Sequence, residues 1–146
     1  MKKKENSKLL TFYKSIQGKI QLEFVSEGIS AGFPSPADDF QNKRISLDEQ
    51  LVNDESSTYY ARVSGESMIN AGLDNDDLLV IDKNIMPKDG KIAVCYVDGE
   101  FTVKRLKITK ECIYLIPEND NYKPIKVTED KQLLIWGIVT YVIKKV

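Results

Sequence analysis

Lys91-Ile92-Ala93-Val94-Cys95-Tyr96-Val97-Asp98-Gly99-Glu100-Phe101-Thr102-Val103-Lys104-Arg105-Leu106-Lys107-Ile108 is the stretch that decides the fold. Two runs of strand-like composition flank Asp98-Gly99, a pair whose members both accept positive φ, as a two-residue hairpin turn demands. The stretch predicts antiparallel strands at Lys91–Val97 and Glu100–Ile108. On the second, Thr102, Lys104, Leu106 and Ile108 share one face, while Phe101, Val103, Arg105 and Lys107 share the other. Lys104 is thus set among apolar neighbours. Such a lysine either reaches past them to water or is buried for a purpose, and the residues alone favour the first.

Working outward, Tyr59–Val63, Asp77–Asp82, Ile113–Ile116 and Gln132–Ile143 read as further strands. One helix is predicted from Ile45 to Asn53, with Ser46 as its cap and Glu49 three residues on. Ile20, Leu22 and Phe24 alternate with polar residues, which predicts one short strand nearer the N-terminus. Pro34 and Pro36 forbid regular structure and mark a boundary. The chain therefore divides into an extended arm, residues 1–37, and a mostly-β domain, residues 38–146.

With 146 residues, 42% of them hydrophobic, the chain is long enough for one real core. A net charge of −1 argues against a general nucleic-acid binder. The charge is uneven: residues 1–31 hold six Lys and three Glu, so a basic arm precedes an acidic body. No apolar run approaches the roughly 20 residues that span a bilayer. The basic start lacks the apolar core of a signal peptide, so a cytoplasmic protein is expected. Cys95 and Cys112 have no CxxC spacing and no histidine to share a metal. They read as reduced thiols in strand-like runs, with a disulfide between them as the alternative.

The chain contains no histidine, which excludes Ser-His-Asp and Cys-His catalysis. A serine could still be activated if a lysine were forced to be neutral. Ser67 lies in the turn Ser64-Gly65-Glu66-Ser67-Met68, and Lys104 follows 37 residues later. An unperturbed lysine is neutral only about once in 2,500 at pH 7. Desolvation by ~3–5 units would make the neutral form common. Either residue alone has an ordinary reading: a serine in a turn, a lysine on a strand.

Taken together, these segments resemble the LexA/UmuD family of self-cleaving peptidases, over about Lys19 to Lys144. Gly32-Phe33-Pro34-Ser35-Pro36-Ala37 is similar to the stretch that follows the family's cleavage site. Val63-Ser64-Gly65-Glu66-Ser67-Met68 resembles its nucleophile motif, and Val97-Asp98-Gly99-Glu100-Phe101-Thr102-Val103-Lys104 its lysine motif. Leu115-Ile116-Pro117-Glu118-Asn119, Tyr122-Lys123-Pro124-Ile125 and Gly137-Ile138-Val139 resemble its late segments. The resemblance implies a partly barrel-like β peptidase fold and a cut of the chain's own backbone at Ala31-Gly32. Small residues suit that bond, since glycine lets the backbone approach a nucleophile closely. It further implies Ser67 as nucleophile, neutral Lys104 as base, and the backbone N–H groups of Glu66 and Ser67 as oxyanion donors, with no metal or organic cofactor.

Repressors of this family carry a helix-turn-helix domain before the cut. Only 31 residues precede it here, too few for sequence-specific DNA binding. The UmuD-type branch is therefore favoured. That branch implies a homodimer, cleavage stimulated by a RecA filament on single-stranded DNA, and a shortened product that joins a UmuC-like Y-family polymerase in SOS mutagenesis. The rivals are a non-catalytic binding module and a prophage regulator lacking its DNA-binding half. A signal peptidase is disfavoured by the missing anchor. Relatives commonly have glycine where this chain has Asp76, which puts the local loop in question. Ile20, Leu22 and Phe24 are expected to supply most of the energy that docks the arm.

Overall fold

The computed structural model describes residues 10–14, 18, 20–25, 32 and 42–146. Their contacts form two compact units, one of residues 16–55 and one that joins the strand at 10–14 to residues 56–146. The smaller unit holds β2 (Gln21–Val25) paired antiparallel with β3 (Asn42–Ser46), then the five-residue helix α1 (Leu47–Leu51). The expected strand around Leu22 is present. The expected capping box is not: the Ser46 hydroxyl bonds the Asp48 carboxylate and makes no side-chain cap. Asp48 instead accepts the N–H of Gly18 at 2.8 Å.

The larger unit is one eight-stranded antiparallel sheet in the order β1-β4-β5-β10-β6-β7-β8-β9. Its strands are β1 (Leu10–Lys14), β4 (Thr58–Val63), β5 (Leu78–Asp82), β6 (Ile92–Val97), β7 (Glu100–Ile108), β8 (Ile113–Ile116), β9 (Ile125–Val127) and β10 (Leu133–Ile143). The β6–β7 hairpin turns at Asp98 (φ 47°) and Gly99 (φ 87°), as the Asp-Gly pair predicts. The uninterrupted apolar run of β5 is explained by its place inside the sheet, where Leu79, Val80 and Ile81 are all fully buried.

Strand alternation builds a core on each face. Leu79, Ile81, Val94 and Val103 pack on one side with Ala61, Val63, Met68 and Leu73. Ala93, Cys95, Leu106, Leu115 and Ile138 pack on the other. The sheet curls: Phe12 on the outer strand β1 meets Phe101 of β7 at 4.8 Å and Trp136 of β10 at 4.7 Å between ring centroids. That contact across four intervening strands of the sheet gives the partly barrel-like form. The β10 register shifts near Trp136 and again near Thr140, and such bulges increase local bend. Between them Gly137 crosses β5 so closely that a Cβ there would lie 2.5 Å from Ile81 Cγ2.

β1, β3 and β9 were not anticipated from the sequence. β1 falls within the arm as the sequence divides the chain, yet it is an edge strand of the large sheet. Both cysteines are free thiols, but only Cys95 is a core residue; Cys112 is half-buried, just before β8. Among the described residues, no helix is long and apolar enough to cross a membrane.

A candidate serine–lysine active site

β4 ends at Val63 and the chain turns sharply through Ser64–Met68 into a single 3-10 turn, Ile69–Ala71. Gly65 has φ 106°, a conformation other residues resist, and its N–H donates to Asn75 Oδ1 at 3.0 Å. Asp76 has φ 71°, so the residue that replaces a glycine does occupy the left-handed region, where aspartate is better tolerated than most. Its N–H still closes the loop onto Val63 O at 2.8 Å. Buried Met68 and Leu73 anchor the segment in the core.

A second segment holds the turn from behind. The Glu118 N–H donates to Ser67 O at 2.8 Å, and Asn119 Nδ2 donates to Glu66 O at 2.8 Å. Asn119 is buried, and its Oδ1 accepts the Asn121 N–H at 3.0 Å. Arg105 Nε bonds Glu118 Oε1, tying this segment to β7. With both carbonyls committed, the amides of Glu66 and Ser67 donate no hydrogen bond among the described residues.

Lys104 comes from β7 and is 7% exposed, so it does not reach past its neighbours to water. Its Nζ lies 2.9 Å from Ser67 Oγ, 2.7 Å from Thr102 Oγ1 and 3.0 Å from Val103 O. A protonated amine donates to all three. A neutral amine has two hydrogens and one lone pair. If Thr102 and Val103 take the hydrogens, the lone pair is left for the Ser67 hydroxyl proton.

Burial holds the Lys104 pKa below the ordinary 10.5. Among the described residues the opposing influence is Cys95, whose thiol burial pushes up to about 12. At neutral pH that thiol carries no charge, so it does little to keep Lys104 protonated. Among the described residues Lys104 forms no salt bridge.

Ser67 and Lys104 open onto a cleft of about 530 Å³, lined by both the nucleophile turn and β7. β8 pairs with β7 only from Arg105 to Ile108, so residues 100–104 have, among the described residues, a strand neighbour on one side alone. An extended peptide could lie along that free edge. Of the expected cleavage bond, Ala31 lies outside the described residues and Gly32 is exposed. Ile20, Leu22 and Phe24, expected to dock the arm, are 75%, 65% and 42% exposed.

Thr102 and Asn119 were missed as site residues. Thr102 was detectable, since it sits two residues before Lys104 on the same face. Asn119 lay in a quoted motif, but its link to Glu66 spans 53 residues and leaves no local trace.

A serine hydroxyl bonded to a buried lysine amine beside an open cleft is the arrangement of a hydrolase that works without histidine. The sequence matches the Peptidase S24-like family over residues 23–140. The chain belongs to that family and is a serine peptidase of the UmuD type, a protein of SOS mutagenesis. It is 38% identical to protein MucA of Salmonella typhimurium over 122 residues, 82% of each chain. It is 40% identical to protein SamA of Salmonella typhimurium strain LT2 over 120 residues, 82% of this chain and 83% of that one. To the LexA repressor of Alcanivorax borkumensis it is 35% identical over 127 residues, 87% of this chain but 61% of the repressor.

Proposed function

We propose that the chain cuts its own backbone between Ala31 and Gly32, with Ser67 as nucleophile and Lys104 as base. The observation that carries this reading is the 2.9 Å contact between Ser67 Oγ and a buried Lys104 Nζ. Neutral Lys104 accepts the Ser67 proton as Oγ attacks the Ala31 carbonyl carbon. The Glu66 and Ser67 amides stabilise the oxyanion. Lys104 then protonates the leaving Gly32 amine, and water hydrolyses the Ala31 ester to restore Ser67. Because the substrate is tethered, its effective concentration is high whenever the arm occupies the cleft. The reaction divides the chain within the arm of residues 1–37 and leaves the domain of residues 38–146 whole.

In this reading the protein is a cytoplasmic homodimer whose cleavage is stimulated by a RecA filament on single-stranded DNA. The shortened subunit joins a UmuC-like Y-family polymerase for synthesis past lesions. Its support is family membership and the similarity to MucA and SamA along most of their length. Mass spectrometry of the purified protein, with and without activated RecA, tests it. A fragment beginning at Gly32 should appear, faster with RecA, and Ser67→Ala should abolish it. An unchanged rate in Ser67→Ala would sink the assignment.

A further inference from the structure

β1 shows what the outer edge of the sheet accepts. Its five residues pair antiparallel with β4, from Leu10 opposite Val63 to Lys14 opposite Tyr59. Phe12 stands opposite Ala61, which is fully buried. An alanine there leaves room for the Phe12 ring to pass over β4 and reach Phe101 and Trp136. Tyr59 closes the group, 5.0 Å from Trp136, and Lys83 Nζ sits 4.9 Å over the Trp136 ring. The edge is therefore selective: it takes an extended strand with an aromatic side chain at one register position.

β1 lies on the N-terminal side of Ala31-Gly32. While the chain is whole, its tether keeps β1 at high effective concentration beside β4. Once the chain is cut, the N-terminal fragment is held, among the described residues, by two five-residue strand pairings and the packing of Phe12, and short pairings are marginal in water by themselves. Loss of β1 removes the strand that pairs with Tyr59–Val63, and a sheet edge that has lost its outer strand is a template for another.

We propose that self-cleavage turns the β4 edge into a docking site for an extended segment of a partner protein. That segment carries an apolar residue and, two positions on, an aromatic residue that enters the site vacated by Phe12. The inference rests on the proposed cleavage between Ala31 and Gly32. The uncut chain masks this edge with its own strand, so cleavage exposes a binding surface as well as removing a fragment.

The test separates this inference from the cleavage chemistry. In a Ser67→Ala chain, residues 26–30 are replaced by the recognition site of a foreign protease, so that cutting does not depend on Ser67. The fragment is removed by size exclusion, and a fluorescent peptide of residues 8–16 serves as probe. Anisotropy should report binding to the cut body and none to the uncut chain. A Phe12→Ala peptide should bind at least about tenfold more weakly, the equivalent of roughly 1.4 kcal/mol. Equal binding to both forms would overturn the proposal, as would a fragment that stays bound after cutting. So would loss of the β-sheet signal on fragment removal, which would make β1 part of the folding core. A cut body that dimerises through this edge, and that the peptide dissociates, would assign the edge to a second copy and overturn the partner reading.

Discussion

Asn119→Ala removes the side chain that, among the described residues, hydrogen-bonds the back of the nucleophile turn to the segment after β8. Two hydrogen bonds are lost, Nδ2 to Glu66 O at 2.8 Å and the Asn121 N–H to Oδ1 at 3.0 Å. Each contributes roughly 0.5–1.5 kcal/mol net, so the expected loss of stability is about 1–3 kcal/mol. A domain of ordinary stability, about 5–15 kcal/mol, stays folded after that loss. The cleavage rate should fall much further, because the segment after β8 then holds the turn only through the backbone bonds of Glu118 to Ser67 and Asn70 among the described residues. A displacement of about 1 Å in a reacting group can reduce a rate by about 100-fold. Asn119→Asp should be slower still, since a carboxylate keeps the Asn121 contact but faces the Glu66 carbonyl with no hydrogen to donate. Urea unfolding in a Ser67→Ala background would give the stability change, and mass spectrometry of the active chain the rate. A rate that falls no more than the folded fraction does would refute a positioning role and leave Asn119 as a structural residue.

Self-cleavage should rise with pH through the depressed pKa of Lys104, and Lys104→Arg should be inactive because guanidinium keeps its proton. The same burial makes folding pH-dependent: between the folded-state pKa and the unfolded 10.5 the unfolded chain holds one more proton, so the Lys104 contribution to stability improves as pH rises through that window. Cleavage that is flat from neutral to alkaline pH, with the fold intact, would count against lysine as the base. Gly137→Ala should destabilise the protein by about 1–3 kcal/mol through overpacking against Ile81. A urea midpoint equal to that of the parent chain would show that β10 and β5 can separate without strain.

The Asp98-Gly99 hairpin was legible because both turn residues act locally, through their own φ angles. The shared face of Lys104 and Leu106 was legible for the same reason, since strand alternation needs no knowledge of the rest of the chain. The depth of Lys104 was not, because it depends on what covers that face, and the cover comes from a turn 37 residues earlier. β1 escaped notice because Leu9-Leu10-Thr11-Phe12-Tyr13 shows no polar alternation, and a five-residue edge strand is settled by its partner β4. Period-2 alternation identified the strand around Leu22 and Phe24, but alternation does not say which strand it pairs with, and its partner β3 leaves both side chains exposed. Ser46 and Glu49 had the spacing of a capping box, yet Asp48 lies nearer and takes the Ser46 hydroxyl.

The place of β10 in the sheet has a consequence for timing during synthesis. β10 is the last strand in sequence, but it lies between β5 and β6 and joins the half that carries Ser67 to the half that carries Lys104. A chain still emerging from the ribosome has made both residues without the strand that binds their halves into one sheet. Domains fold as units, so the continuous sheet that sets the serine against the lysine is complete once residues 133–143 have been added. A chain truncated before residue 133 should therefore lose the dyad geometry while both of its members remain in the sequence.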